Sequence, residues 1–315
     1  MNTRLLLPLI LLLLTTTGAG AQGMMYCDNS RQGVPFAKDP HVVRLQGRYL
    51  MYYSIPPRKG DMTGGWNIGI AESRDLTLWN KVGEITPQPG ADYEKNGLCA
   101  PGALVRDGVV HLFYQTYGNG RKDAVCHATS TDGINFVRDS SNPIFAPTGD
   151  WTCGRAIDAE VCFFRGKYFL YFATRDPDFK VQQVGVATAP AGTDFSRGQW
   201  TQVTDSAILA PQLPWERKCI EAPSIAVRGK RMYMFYAGAY NNEPQQIGVA
   251  GGGAATASTG KGFRTNLSSA MESQESGMKA KADTPTSSPT KAGKPISSTK
   301  ETARKGVTGT SHSAA

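Results

Sequence analysis

The sequence predicts an all-β chain folded as a propeller of four-stranded blades. Three observations carry this. One sequence pattern, about twenty residues long, is written four times. The copies recur at a nearly constant spacing. Between them almost every apolar run is short and bounded by Gly, Pro, Asn or Asp, with no convincing helical period. The clearest copy is residues 155–176, RAIDAEVCFFRGKYFLYFATRD. The others are 38–54 (KDPHVVRLQGRYLMYYS), 98–118 (LCAPGALVRDGVVHLFYQTYG) and 219–240 (CIEAPSIAVRGKRMYMFYAGAY). Aligned on their turn glycines, Asp39, Cys99, Asp158 and Glu221 fall in one register, with steps of 60, 59 and 63 residues.

Each copy opens with a hairpin. Val42-Val43-Arg44-Leu45 and the Tyr49 to Tyr53 run flank Gln46-Gly47-Arg48. The second pair flanks Arg106-Asp107-Gly108, where Asp-Gly is the strongest short hairpin signal. The third and fourth turn at Arg165-Gly166-Lys167 and Arg228-Gly229-Lys230. A third, alternating strand follows in every copy: NIGIA from Asn67, AVCHA from Ala124, QVGVA from Gln183 and QIGVA from Gln246. A turn and a fourth strand come next, around DLTLW from Asp75, DGINF from Asp132, and Asp194-Phe195 leading to Trp200. Four antiparallel strands per repeat make a propeller blade. A β-sandwich has similar turns but no repetition of a whole blade's pattern.

The ends read differently. Residues 1–21 form a secretory signal: Arg4, an apolar run from Leu5 to Leu14, then Ala19-Gly20-Ala21 before Gln22. That run is too short to span a bilayer, so a periplasmic or extracellular product without a membrane span is expected. Residues 22–250 are the propeller domain. Residues 251–315 change to Ser, Thr, Lys, Gly and Ala with one aromatic, Phe263, a composition that buries no core. Residues 271–300 can be back-translated, with codons chosen freely, so that the frame one base back carries a turn and an aromatic strand like those of the other copies. That is a fifth copy of the pattern, so the tail is expected to be out of frame. The encoded propeller would then lack its fifth blade and expose strand edges.

The formal net charge is +8, and 251–315 supply most of it, with nine Lys and Arg against four Asp and Glu. No basic stripe interleaved with aromatics argues for nucleic acid. The six cysteines, 27, 99, 126, 153, 162 and 219, contain no C-x-x-C pair. One or two disulfides and free buried thiols both fit an exported chain. His41, His111 and His127 do not have metal-site spacing, so no metal or cofactor is expected.

Inner strands of a propeller begin near its axis, so Asp39, Asp158 and Glu221 should meet in one funnel. Three carboxylates together repel, burial disfavours their charge, and at least one pKa should rise. A carboxyl that keeps its proton at neutral pH is the acid that glycosidic cleavage needs, beside a carboxylate that activates water. Each has a plainer reading. Asp39 starts a turn before Pro40, Asp158 sits in a surface loop with Glu160 as a rival, and Glu221 pairs with Arg217 or Lys218. The motifs Lys38-Asp39-Pro40, Ile157-Asp158 and Ile220-Glu221-Ala222-Pro223 resemble the three acidic motifs of glycoside hydrolase family 43, over residues 38–250. That family belongs to a group of five-bladed propellers. The resemblance implies an inverting glycosidase with Asp39 as general base, Glu221 as general acid and Asp158 orienting the acid and tuning its pKa. It implies a carbohydrate substrate from plant or algal material. Some members hold a calcium ion near a fifth-blade His; here that His falls only in the shifted frame. Cys99 shares the carboxylates' register and should line the funnel as packing or in a disulfide. Trp66, Trp151 and Tyr117 are candidates to stack on sugar rings, and Arg155 to bind a hydroxyl or carboxylate. The competing functions are a non-catalytic carbohydrate-binding propeller, a phosphorylase, and an inactive truncated product.

Overall fold

The computed structural model describes residues 26–61, 65–240 and 243–253. The expected signal segment and the tail beyond Gly253 lie outside these residues. All of these residues lie in one compact unit.

Fifteen strands form four antiparallel sheets, one per repeat. Blade 1 is β1 (Lys38–Leu45), β2 (Arg48–Ile55), β3 (Asn67–Ser73) and β4 (Asn80–Ile85). Blade 2 is β5 (Leu98–Arg106), β6 (Val109–Thr116), β7 (Val125–Ser130) and β8 (Val137–Arg138). Blade 3 is β9 (Ile157–Phe164), β10 (Lys167–Arg175), β11 (Gln182–Pro190) and β12 (Thr201–Gln202). Blade 4 has three strands, β13 (Ile220–Arg228), β14 (Arg231–Gly238) and β15 (Gln246–Gly253). The last strand runs three residues past the boundary expected at Ala250.

The hairpins stand where the turn residues place them. Leu45 pairs with Arg48, Arg106 with Val109 and Phe164 with Lys167, each across a two-residue turn. Both residues of these turns have positive φ: 50° and 80° at Gln46-Gly47, 52° and 77° at Asp107-Gly108, 50° and 80° at Arg165-Gly166. That geometry matches the right-handed twist of the flanking strands. The expected fourth strands are displaced by a few residues. The Asp75, Asp132 and Asp194 segments are the turns themselves, and the strands start after them. Asp75 Oδ1 accepts from the Thr77 and Leu78 amides at 2.8 Å, and Asp132 Oδ1 from Ile134 and Asn135 at 2.8 Å. A short acidic side chain that bonds its own backbone ahead favours such a turn over a strand.

Apolar clusters fill the spaces between blades. Leu50, Tyr52, Ile70, Leu112 and Tyr114 pack between blades 1 and 2. Phe113, Phe172, Phe195 and Trp200 pack between blades 2 and 3. Phe169, Tyr171, Met232, Met234 and Tyr236 pack between blades 3 and 4. The far face of blade 1 is closed by Tyr26, Ala37 and Trp79 over Met51, Tyr53 and Ile55. All six cysteines are free thiols: Cys99, Cys126 and Cys219 are buried, Cys153 and Cys162 half-buried, and Cys27 exposed.

Candidate active site

Each inner strand carries a β-bulge near its start, and the bulges build the site. The pairing register slips between Lys38 and His41, Cys99 and Gly102, Ile157 and Glu160, and Glu221 and Ser224. At each slip one residue takes a left-handed conformation: Asp39 (φ 50°), Ala100 (47°), Asp158 (53°) and Ala222 (51°). A bulge opposes two residues to one and re-aims a side chain. The true equivalents are therefore Asp39, Ala100, Asp158 and Ala222, each followed by Pro40, Pro101, Ala159 or Pro223. Cys99 and Glu221 stand one position earlier, beside Lys38 and Ile157. The expected common register of Asp39, Cys99, Asp158 and Glu221 is off by one residue for two of the four.

The bulges also explain how neighbouring blades lock. The Ala100 amide donates to Ser54 Oγ of blade 1 at 2.8 Å, and Ser54 Oγ donates to Asp39 Oδ2 at 3.0 Å. The Asp158 amide donates to Gln115 Oε1 of blade 2 at 2.9 Å. The Ala222 amide donates to Asp158 Oδ2 of blade 3 at 3.2 Å. Three of the four bulges thus bind the preceding blade, and two of these bonds fix a carboxylate.

A cavity of ≈ 120 Å³ opens at this point, lined from all four inner strands by residues including Asp39, His41, Pro101, Asp158, Glu160 and Ser224. The Glu221 carboxylate stands by it, held by Gln182 Nε2 and by Gln245 Nε2, the latter at 2.7 Å. Arg217, one of its expected salt-bridge partners, pairs instead with Glu243 at 3.8 Å. Asp158 lines the cavity and is half-buried by surface area. Burial, then the negative charges of Glu221 and Asp39, raise its pKa to about 7. The expected rise thus falls on Asp158. Lys38 lies within 3.3 Å of Asp39; burial opposes its charge, but Asp39 and Asp158 outweigh burial and raise its pKa.

The remaining expected site residues divide. Cys99 is buried, its thiol pushed well up by burial and then by Asp39 and Asp158; it packs and is not a thiolate. Trp66 and Tyr117 stand together, ring centroids 5.8 Å apart, with Phe36 against Trp66 at 5.4 Å. Neither lines the small cavity. Trp151 does not line it either: its ring rests by Gly185 and Phe172, and its N–H donates to the Thr148 carbonyl at 3.0 Å. Gly185 leaves the gap that this ring fills. Arg155 is largely buried with its Nε 3.4 Å from Asp123, and its charge reaches Asp158. Gln115, Gln182, Gln245 and Ser54 were not foreseen. The one sequence signal was the Gln pairs, 182–183 and 245–246, at the third strands of blades 3 and 4. A larger groove of ≈ 480 Å³, lined by Ile144, Phe145, Arg197 and Trp200, holds no carboxylate. Its Arg197 already donates to the Pro143 and Asn142 carbonyls. Among the described residues no His, Cys, Asp and Glu group is arranged for a metal ion, and no helix is long and apolar enough to cross a membrane.

A propeller whose inner strands bring three carboxylates to one axial cleft defines a class of sugar-cleaving scaffolds. The glycosyl hydrolases family 43 profile matches residues 34–293, and the chain belongs to that family. The match runs past the described residues into the segment expected to be out of frame. A raffinose invertase of Escherichia coli is 25% identical over 179 residues, covering 50% of this chain and 37% of the invertase. Two solved structures share the fold. A GH32 beta-fructofuranosidase of Bombyx mori superposes with a TM-score of 0.57 at 16% identity, over 72% of this chain and 47% of that one. A thermostable family-43 glycoside hydrolase superposes with a TM-score of 0.54 at 19% identity, over 72% of each chain. The chain thus spans less than half the length of the invertase and of the fructofuranosidase.

Proposed function

We propose that this chain is an exported glycoside hydrolase that cleaves glycosidic bonds of plant or algal oligo- and polysaccharides with inversion. The observation that carries the reading is the convergence of Asp39, Asp158 and Glu221, from three different blades, at one cleft. Asp39, held by Ser54 and Lys38, is the general base that takes a proton from water. Glu221 is the general acid, its carboxyl aligned by two glutamine amides that donate to it. Asp158 sits between the strands of the other two, and its bond to the Ala222 amide fixes the turn from which Glu221 projects. The raised Asp158 pKa keeps a proton in the cluster near neutral pH, which limits repulsion among three acidic groups. Family membership, the invertase relative and the glycosidase neighbours support the reaction class. The substrate and the exported location rest on the leader-like sequence and on the resemblance of the acidic motifs.

The test uses the full chain with a panel of aryl glycosides and plant oligosaccharides. Asp39→Asn and Glu221→Gln should each lower kcat by about 10³ or more while leaving the unfolding transition in place. Glu221→Gln should be partly spared on substrates with activated leaving groups, which need less protonation. Proton NMR of the first product should show the inverted anomer, as expected for carboxyl groups about 6.5–9.5 Å apart. Retained configuration would overturn inversion, and wild-type turnover by Glu221→Gln on a poor leaving group would remove it as the acid. Sugar binding without turnover by the wild-type chain would make it a binding propeller instead.

A further inference from the structure

The floor of the cleft holds a fourth acid that the reaction above does not use. Glu160 lies two residues after Asp158 on β9, at the far side of the bulge, where pairing resumes with Tyr171 of β10. It is buried, and its side chain lines the same cavity as Asp39 and Asp158. Its Oε1 accepts from the Ile225 amide on β13 at 3.0 Å. Its Oε2 faces His41 Nδ1 on β1 at 3.6 Å, within ion-pair range but longer than a direct hydrogen bond. His41 is two residues after Asp39, and Ile225 is four after Glu221. One carboxyl therefore touches or faces each of the three strands that carry the cluster.

We infer that Glu160 is a positioning residue: from inside the cleft it ties the Asp158 strand to the Glu221 strand through the Ile225 amide. Two observations beyond its position support this. Burial raises its pKa to about 7 against the lowering effect of the Ile225 amide, so the proton stays on through the mildly acidic range. His41, half-buried, has a pKa lowered by burial against the raising effect of the Ala103 backbone, so burial disfavours a cation opposite that carboxyl. Among the titratable and charged groups on the elements around Glu160 are Lys38, Asp39 and His41 on β1, Cys99 on β5, Tyr171 on β10 and Glu221 on β13, with Asp158 and Cys162 on its own strand. Burial and then the Glu160 charge push the Cys162 thiol up to about 12, and burial raises Tyr171, so neither is ionised near neutrality. The charges that Glu160 would join on ionising are those of Asp39, Asp158 and Glu221. The effect on turnover rests on the glycosidase reading; the effect on folding does not.

The sign follows from linkage. A group whose folded pKa lies above its unfolded value stabilises the fold fully at low pH and ceases to as pH rises through the folded pKa. The experiment compares the full-length wild type, Glu160→Gln and Glu160→Ala by thermal unfolding from pH 5 to pH 8.5, with difference infrared spectra of protonated carboxyls over the same range. The wild type should lose thermal stability as pH rises through about 7. Glu160→Gln should lose less, because the amide keeps an acceptor for Ile225 and cannot ionise. It should also lack an infrared carboxyl band that titrates near neutrality and that Asp158→Asn retains. Glu160→Ala should unfold at lower temperature at every pH. Where the chain turns over a glycoside, kcat should fall several-fold in Glu160→Ala and recover in Glu160→Gln. A Glu160→Gln protein with the wild-type pH dependence and the wild-type carboxyl band would overturn the inference. So would a Glu160→Ala protein as stable as Glu160→Gln. Neither result depends on whether any sugar is cleaved, so loss of the glycosidase reading would be seen separately.

Discussion

Blades 3 and 4 are written with nearly the same residues yet are packed differently. β10, KYFLYFATR, is buried along its whole length except at its ends. β14, RMYMFYAG, alternates, with Met232, Met234 and Tyr236 buried and Phe235 42% exposed. The cause lies in the neighbours. Blade 3 is covered on one side by the Phe113–Phe195 cluster and on the other by the Tyr171–Met234 cluster. Blade 4 shares only the second, and among the described residues no further cluster covers its other face, where Phe235 sits beside Val249 and Ile247 is 74% exposed. A blade's burial is set by what stacks against it, as in other repeat architectures. The consequence reaches the site. Asp158 stands on a sheet packed on both faces. Glu221 stands on one packed on a single face, and its carboxylate is steadied from outside its own blade by Gln182 of blade 3.

Truncating a large side chain is the strongest way to break this comparison. Phe172 is 0% exposed among Phe145, Trp151 and Gly185, so Phe172→Ala should cost about 3–5 kcal/mol. Phe235→Ala at the neighbouring blade should cost about 1–2 kcal/mol, since 42% of its surface stays in water. Urea unfolding of the two variants measures the difference. Equal losses would mean that the open face of blade 4 is covered in solution.

A smaller effect is expected from adding one methyl group where blades approach. A Cβ at Gly102 would stand 2.1 Å from the Ala159 carbonyl oxygen, a backbone atom of the next blade that cannot swing aside. Gly102→Ala should therefore force blades 2 and 3 apart and cost about 1–3 kcal/mol. At Gly251 in blade 4 the nearest atoms, in the Tyr233 ring, lie at 3.8 Å, so Gly251→Ala should change stability by no more than about 0.5 kcal/mol. Loss of stability at Gly251 comparable to that at Gly102 would show that blade 4 is as tightly packed as blade 3.

Much of this was legible in the sequence. The hairpins were, because Asp107-Gly108 and its equivalents demand a two-residue turn whatever surrounds them. The meeting of Asp39, Asp158 and Glu221 was too, because a repeated blade fixes which residues begin near the axis. The one-residue offset of Glu221 was not, since a bulge adds a residue without changing the residue types that mark a strand. The Pro residues held the clue: Pro40, Pro101 and Pro223 mark the bulge, and Glu221 is two before its Pro where Asp39 is one before. Trp151 was the least readable, because a tryptophan in a loop near the axis fits a sugar platform and a cover over a glycine equally well. Neither burial nor charge spacing can be read from a linear chain, so the raised pKa could be expected of the cluster but not assigned to Asp158.

The smallest expected effect concerns that shift and sharpens the contrast between the two carboxylate-bearing blades. Asp158 has a folded pKa raised to about 7, chiefly by burial and then by Glu221 and Asp39. Its neutral form is the stabilised one. Its contribution is therefore complete below the unfolded value and is lost as pH rises through about 7. Asp158→Asn removes the titration but keeps an oxygen that can accept from the Ala222 amide. The variant should come closest to the wild type at pH 4 and exceed it by about 1–2 kcal/mol at pH 8, where the wild type must hold an extra charge in the cleft; the figure allows for screening by water in the cavity. Glu221→Gln on blade 4 should show the same sign at pH 8, because removing its charge relieves Asp158. Unfolding curves at the two pH values decide this. An Asp158→Asn protein less stable than the wild type at pH 8 would mean that the Asp158 charge is compensated in the folded chain, with Lys38 and Arg155 outweighing burial and the two neighbouring carboxylates.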